Sequence, residues 1–275
     1  MKRAFILIQL FLIAIICNAQ IFSPKRSQYS NPSANRMWKY RRWEVIAGAG
    51  TAHLYGDIGG YSVGSNAIGF KDFSFKNVRF NLSGSLRYML NKDFSLRLNL
   101  NITGLHASDA KGSNEARGLE SSSFIIEPDF LAEYSIVKSK YDGVLLFSRR
   151  RNNFLPNLMN TFNIYGFAGL GAASFKVDHN TNVSASGKYS DGGFAVTIPA
   201  GICLNMSWNS RTSFGIEFAV KYALSDYIDG YTSPFSKFND FYHTITFTWS
   251  YKLKTGLKGW PSFARSGSQF KGNPR

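Results

Sequence analysis

The chain has 275 residues and a formal net charge of +15; 16% of its residues are aromatic, 18% are charged and 25 are glycine. This composition favours one all-β domain over a pair of α/β domains. Outside residues 1–20 no apolar run is long enough for a transmembrane helix. Beyond those residues Cys203 is the only cysteine, which excludes an internal disulfide and a cysteine metal cluster.

The first residues have the order of a secretory signal peptide, which we predict over residues 1–19. Two basic residues precede a short apolar run, and Ala19 suits the position before the cleaved bond. A membrane anchor is an alternative, but small residues close the run early. Lipid attachment at Cys17 is another, which the bulky Ile16 before it disfavours. We therefore expect export from the cytoplasm.

Residues 20–42 are predicted to form a basic arm rather than a folded element. The segment is rich in proline, serine and asparagine and contains no acidic residue. At Trp43 the pattern changes to one in which apolar residues recur at every second position. That periodicity is typical of β-strands, so we place the start of the folded domain there.

Eight segments show this alternation, most clearly residues 214–224 and 241–251. In residues 214–224 large apolar side chains alternate with small or charged ones such as Glu217 and Lys221. Pro128 lies inside the fourth strand, where we expect a bulge or a local break. The predicted strands are residues 43–55, 77–90, 93–105, 122–136, 161–175, 193–206, 214–224 and 241–251.

The lengths of the connections predict a transmembrane barrel over residues 43–253. Outer-membrane barrels join their strands by short turns on the periplasmic side and by longer loops outside. Residues 91–92 and 208–210 are short turns, and the loops on the other side are residues 56–77, 107–121, 176–192 and 225–239. Only the basic connection 137–160 departs from this rule. We predict an all-β, eight-stranded antiparallel transmembrane β-barrel, followed by a basic periplasmic tail at residues 254–275.

The polar faces of the predicted strands carry a candidate lumen network. An eight-stranded barrel has an interior just filled by side chains, and buried charges persist when they are paired. We therefore expect a salt-bridged plug, with an open channel as the alternative. The network comprises Arg79, Arg87, Arg97 and Lys221 against Glu44, Glu127, Asp129, Glu133 and Glu217.

The excess positive charge is concentrated in the basic arm, the 137–160 connection and residues 252–275, which contain a single acid, Asp142. Such a field favours an acidic protein surface or anionic lipid headgroups, and solvated tails are the alternative. Export excludes nucleic acid as a partner. The candidate docking residues are Arg36, Lys39, Arg41, Arg42, Arg149, Arg150, Arg151, Lys254, Lys258 and Arg265.

No hydrolase or phosphate-binding motif is present, and we expect neither catalysis nor a cofactor. His53, His106 and His243 lie near the outer ends of their strands, and the alternation places His106 and His243 on the lipid side, where we expect them to be interface residues. An outer-membrane enzyme of lipid modification that uses them remains a second hypothesis, and a small porin a third. The outer-loop acids Asp226, Asp229 and Asp240 could bind Ca²⁺, but we expect them to be solvated.

Two short motifs resemble the PorG-like outer-membrane barrels of Bacteroidetes, a family associated with the type IX secretion system. They are residues 55–60 within WEVIAGAGTAHLYGDIGG and residues 217–230 within FGIEFAVKYALSDYIDG. The resemblance implies a non-enzymatic barrel that associates with the periplasmic ring of the secretion complex. On that basis we expect a structural anchor in the outer membrane, whose partners are membrane lipid and acidic ring subunits.

Overall fold

The computed structural model describes residues 41–59, 75–110, 115–138, 162–185, 189–208, 211–232 and 239–254, together with Pro261. These residues form eight strands and a short helix, α1 (Thr181–Ala185). The strands are β1 (Trp43–Tyr55), β2 (Arg79–Met89), β3 (Phe94–Ser108), β4 (Glu120–Val137), β5 (Phe162–His179), β6 (Gly192–Ser207), β7 (Thr212–Ala223) and β8 (Phe241–Lys252). Within the described residues, no helix has the length and apolar character needed to cross a membrane.

The strands close into a barrel in which each strand pairs antiparallel with its neighbours along the chain. Closure is made between β1 and β8, whose register runs from Glu44 opposite Lys252 to Tyr55 opposite Phe241. The predicted eight-stranded antiparallel β-barrel is therefore confirmed. The predicted signal peptide lies outside the described residues, as do nearly all of the basic arm and the basic tail.

Several strands are longer than the sequence predicted. β3 continues to Ser108, β4 already begins at Glu120, and β5 continues to His179. Most residues in these three extensions are polar or small, so the apolar alternation weakens there although the strand geometry persists. Leu105, just before the β3 extension, and Val177, within the β5 extension, are buried in the barrel and hold these strand ends in place.

Of the bulge or local break predicted at Pro128, the structure shows the break: Glu127 and Pro128 have no partners in the pairing of β4 with β5, but there is no bulge. Pro128 lies opposite Leu100 of β3, and the register with β5 is the same at Ile126 and at Asp129. The missing N–H of proline removes ladder bonds on one side of the strand only, so the other side keeps the register. The register shift of β4 occurs instead between Ser135 and Val137.

The two ends of the barrel differ in their connections. One end of the barrel, called the turn end, has the short connections 90–93 and 208–211. The first strand begins there at Trp43 and the last strand ends there at Lys252. The turn end also carries the long connection between β4 and β5; the opposite end, which carries the other four connections, is called the loop end. Between the ends, large apolar side chains on the outer faces of all eight strands are exposed, among them Leu98, Phe130, Leu170, Ile202 and Phe247.

Candidate functional site: the filled lumen and the two rims

The half of the lumen nearer the turn end holds a cluster of five charged residues, the lower ion cluster: Glu44, Arg87, Arg97, Glu133 and Glu217. The Arg87 guanidinium donates to Glu133 Oε2 at 2.5 Å and to Glu44 Oε2 at 2.9 Å. Arg97 lies 3.0 Å from Glu133 Oε1 and donates to Glu217 Oε2 at 2.6 Å. Glu133 therefore joins two arginines that belong to adjacent strands.

Aromatic rings complete the lower ion cluster. Arg87 stands over the ring of Tyr165 at 5.1 Å, and Arg97 stands over the ring of Phe167 at 4.9 Å. Both guanidinium groups are 2% exposed. Each arginine thus has carboxylate partners and an aromatic face, which together compensate the loss of water around its charge.

Deeper in the barrel lies the upper ion cluster, composed of Glu127, Asp129 and Lys221. The ammonium of Lys221 contacts Glu127 and lies 3.2 Å from Asp129 Oδ2. Tyr242 donates its hydroxyl hydrogen to Glu127 at 2.7 Å, and Asn101 donates to Asp129 Oδ2 at 2.6 Å. A single cation thus serves two buried carboxylates, and neutral donors supply the remaining hydrogen bonds.

A glycine makes room for the upper ion cluster. A Cβ atom on Gly171 would lie 2.3 Å from Asp129 Oδ1 and 2.4 Å from Thr197 Oγ1. Both distances are below van der Waals contact, so any larger residue at this position would displace the carboxylate or the hydroxyl. Gly171 on the inner face of β5 is therefore needed for the upper ion cluster.

Arg79 does not belong to the predicted lumen network. β2 begins at this residue, and the guanidinium donates to the carbonyls of Lys76 at 2.7 Å and Val78 at 3.1 Å on the loop-end rim. The eight other predicted residues are inside the barrel, where three cations face five carboxylates. The predicted network of four cations and five carboxylates therefore has one cation too many, because Arg79 lies outside the lumen.

Above the upper ion cluster the lumen becomes apolar. An apolar plug fills it towards the loop end and is formed by Leu54, Leu105, Ile125, Phe175 and Tyr242 with neighbouring side chains. Ile58, Val183 and Ile228 from the connections cover the plug and are at most 3% exposed. Among the described residues, side chains thus occupy the lumen from the lower ion cluster to the loop end.

The prediction that the outer-loop acids are solvated is wrong for two of them. Asp229 and Asp240 are 0% and 2% exposed. Asp229 accepts hydrogen bonds from the N–H groups of Asp57 at 2.7 Å, Ile58 at 3.0 Å and Tyr231 at 2.9 Å. Asp240 accepts from Ile228 at 2.8 Å. The two carboxyl groups fasten the connections that follow β1 and β7 over the apolar plug.

The side chain of Asp226 is half-buried and receives a hydrogen bond from Thr232. No sequence pattern indicated a similar role for Asp109, which is 1% exposed. Asp109 accepts from the N–H of Gly59 at 2.7 Å and pairs with Arg117 at 3.0 Å. No group of three potential metal ligands occurs in the part of the chain that the structure describes.

Burial raises the pKa of Asp229 to about 7, and the charge of Asp57 adds to this rise, whereas the backbone N–H groups oppose it. Burial likewise raises the pKa of Asp240 well above its usual value, with further contributions from the charges of Asp229 and Asp226. The closed loop end therefore binds protons that a solvated aspartate would already have released.

At the turn end the described candidate docking residues are Arg41, Arg42 and Lys254, all at the barrel rim. The other candidates lie outside the described residues: Arg36, Lys39, Arg149, Arg150, Arg151, Lys258 and Arg265. Lys92, Lys138 and Arg211 also lie at this rim, and sequence reasoning did not single them out as docking residues. Lys92 and Arg211 were missed because each stands alone in a turn or at a strand end. Lys138 lies in the 137–160 connection but apart from its run of arginines.

The three histidines His53, His106 and His243 fall into two places on the outer wall near the loop end. His53 and His243 are opposite each other on β1 and β8, with ring centroids 5.5 Å apart. His106 is separate from them on β3: its Nδ1 is 2.9 Å from Ser122 Oγ, and its Nε2 is 3.4 Å from Glu120 Oε1. A hydroxyl, an imidazole and a carboxylate are thus in contact at one position, which the sequence spacing did not reveal.

No family model and no curated protein matches this chain. Solved structures similar to it include Neisserial surface protein A, with 12% identity and a TM-score of 0.42, covering 77% of this chain and 97% of that one. Ail of Yersinia pestis has 12% identity and a TM-score of 0.38, covering 78% and 99%. OprG from Pseudomonas aeruginosa has 12% identity and a TM-score of 0.37, covering 78% and 98%. The assignment of the fold rests on the strand pairing of the chain itself.

Proposed function

We propose that this chain is an outer-membrane β-barrel that acts as a non-enzymatic anchor in the type IX protein secretion complex. The barrel has no unpaired strand edge, and apolar side chains are exposed on all eight strands. Soluble proteins rarely expose so large an apolar surface, whereas a closed barrel satisfies its backbone hydrogen bonds within lipid. These two properties support a position in the membrane.

The observation that carries the proposal is the combination of a filled lumen with a cationic turn end. A porin needs a continuous aqueous path, and here two ion clusters and the apolar plug occupy the interior. We therefore place the function on the rims of the barrel rather than in its lumen. Basic side chains at the turn end favour an acidic partner on that side of the membrane.

The expected partner is an acidic surface of the periplasmic ring subunits, as the PorG-like resemblance implies. Positive charge in the basic arm and the basic tail would increase the rate of encounter and hold the ring close to the membrane. Because dissolved ions screen the attraction between exposed charges, we expect docking to weaken at high ionic strength.

Co-purification from native envelopes tests this docking. Replacing Arg36, Lys39, Lys258 and Arg265 by glutamine should reduce recovery of the ring subunits, with the barrel still folded by its heat-dependent gel mobility. Lys76→Gln together with Lys176→Gln removes exposed charge from the loop end and should leave recovery unchanged. Equal recovery from the quadruple variant and the natural chain would exclude docking through these segments.

A second candidate function is favoured by the contact of Ser122, His106 and Glu120. These side chains lie on the outer wall near the loop end, where the acyl chains and headgroups of the outer leaflet would meet. The arrangement resembles the nucleophile, base and acid of a serine hydrolase. Esters of membrane lipid are the substrate class within its reach.

In such a hydrolase, Ser122 Oγ attacks the ester carbonyl and His106 Nδ1 takes the hydroxyl proton. The Nε2–H faces Glu120, which stabilises the imidazolium that forms. The imidazolium then protonates the departing alcohol. Water next attacks the acyl-serine ester while His106 takes its proton, and His106 passes that proton to Ser122 Oγ as the bond to the fatty acid breaks. Each bond broken is thus matched by a bond formed, with no further reactant than water.

Release of fatty acid from lipid A in detergent micelles distinguishes this candidate from the anchor. Ser122→Ala should abolish release, whereas Ser174→Ala, an exposed serine on the outer face of β5, should not change it. If the natural chain releases no fatty acid, the hydrolase function is excluded and the anchor function is unaffected.

A further inference from the structure

Basic residues surround the turn end of the barrel. Arg42 precedes β1, Lys92 lies in the turn between β2 and β3, and Lys138 follows β4. Arg211 precedes β7 and Lys254 follows β8. Six of the eight strand ends on this rim lie within three residues of a cation; the exceptions are the end of β6 at Ser207, four residues from Arg211, and the start of β5 at Phe162. We call these five residues the cationic rim.

Aromatic pairs adjoin the cationic rim on the outer wall. Trp43 and Tyr88 have ring centroids 4.8 Å apart, and the Arg42 guanidinium donates to the Tyr88 hydroxyl at 3.2 Å. Three further pairs lie beside the other rim cations, namely Phe94 with Tyr134, Trp208 with Phe214, and Trp249 with Tyr251. Tryptophan and tyrosine are enriched where a membrane protein crosses the headgroup level, so these pairs mark that level.

The loop-end rim has the opposite charge pattern. Its acidic residues outnumber its basic ones among the described residues: Asp57, Asp109, Glu115, Glu120, Asp178, Asp191, Asp226, Asp229 and Asp240 against Lys76, Arg79, Arg117 and Lys176. At the turn end the acids are Asp93, which pairs with Lys138, and the buried Glu44. A lipid leaflet at the turn end therefore meets mainly positive charge.

We infer that the cationic rim binds the headgroups of anionic glycerophospholipids in the leaflet at the turn end. Long basic side chains beside an aromatic girdle place their apolar stems along the acyl chains and their charges among the phosphates. Each such cation contributes to attraction of a negatively charged leaflet. This binding fixes the depth and orientation of the barrel. Of the basic arm and tail it uses only Arg42 and Lys254, where these segments join the barrel, so it holds whether or not the remainder of the segments docks a protein.

Tryptophan fluorescence gives a direct measurement, because all three described tryptophans, Trp43, Trp208 and Trp249, lie at the turn end. Trp38 and Trp260 are replaced by phenylalanine so that only these three report. The chain is reconstituted in phosphatidylcholine containing brominated phosphatidylglycerol, and in the reverse mixture. Brominated chains quench only the tryptophans that they touch, so quenching yields the relative affinity of the two lipids at this rim.

We expect phosphatidylglycerol to bind about fivefold more tightly than phosphatidylcholine at these tryptophans, since each nearby cation favours an anionic headgroup. Lys92→Gln with Lys254→Gln should reduce the preference about twofold or more, and adding Arg42→Gln and Arg211→Gln should bring it close to unity. Lys76→Gln with Lys176→Gln removes two exposed lysines from the loop end and should leave the preference unchanged.

Equal affinity for the two lipids in the natural chain would overturn the inference without depending on any variant. So would a preference that persists in the fourfold rim variant, or one that falls equally in the loop-end variant. If the rim binds an acidic protein and not lipid, the natural chain should show no preference between the two lipids, which is the first of these outcomes.

Discussion

The two halves of the barrel interior keep water out by different means. Towards the turn end, charged side chains fill the lumen and pair across it, whereas towards the loop end apolar side chains do so under a cover of connecting segments. A paired charge depends on every partner being present, while an apolar plug depends mainly on volume. Single substitutions should therefore have large effects in the ion clusters and smaller ones at the rims.

The largest effect is expected from Lys221→Met. This change leaves Glu127 and Asp129 without their shared cation in a buried site, and breaking such a pairing costs about 3–5 kcal/mol. Urea unfolding in lipid vesicles measures the loss. The double variant Lys221→Met with Glu127→Gln should recover part of it, and a change below about 1 kcal/mol for the single variant would contradict the pairing.

Gly171→Ala tests the space that the upper ion cluster requires. The new Cβ would overlap Asp129 Oδ1 and Thr197 Oγ1, so we expect a loss of about 1–3 kcal/mol in the same unfolding assay. Gly84→Ala is the matched control, because a Cβ on Gly84 would meet no atom within 4 Å. Similar costs for both variants would show that strand glycines matter only through backbone entropy.

The loop end should become easier to open as the pH rises. Asp229 and Asp240 have raised pKa values when buried, so the closed form binds more protons than the open form between the usual aspartate pKa near 4 and the raised pKa of about 7. Closure is therefore strongest below pH 4 and weakens up to about pH 7. Hydrogen exchange of the N–H groups of Ile58 and Tyr231, corrected for intrinsic rates, should show about tenfold easier opening at pH 7.5 than at pH 5.

Asp240→Asn provides the control for this pH dependence. The amide keeps an oxygen that can accept from Ile228 and removes one charge from the buried pair. Protection should then vary less with pH, and it should be higher than in the natural chain at pH 7.5. The same pH dependence in the variant would show that other groups are responsible.

The smallest effect is expected for Arg79→Gln. Among the described residues its guanidinium donates to nearby carbonyls on the rim and to none of the lumen carboxylates, so the free energy of unfolding should change by no more than about 0.5 kcal/mol. Arg87→Gln, within the lower ion cluster, should cost several times more. A large effect at Arg79 would return it to the lumen network.

Strand alternation made the barrel predictable, because it reports which face of each strand meets lipid and which meets the interior. Predicted and observed bounds agree at β1, residues 43–55, where the alternation ends abruptly at Gly56. They disagree at β3 and β5, whose last residues are small or polar and continue only because Leu105 and Val177 reach the plug. Weak periodicity cannot indicate such a tertiary contact.

The candidate sites were predictable in the lumen and much less so at the rims. Inward parity places Glu133, Arg87 and Arg97 on the inner faces of three successive strands, where the structure shows them paired. Parity does not determine depth, so it assigned Arg79 to the lumen although β2 begins there. The burial of Asp229 and the contact of His106 with Ser122 depend on how the connections and strand ends fold together, which no local pattern encodes.

Single-channel conductance in planar bilayers tests the central claim, that side chains seal the lumen, most directly. The refolded natural chain should give no stable current steps in symmetric potassium chloride at pH 5 or at pH 7.5. Steady, ohmic current steps at both pH values would contradict the account, because they require a continuous aqueous path through the ion clusters and the apolar plug.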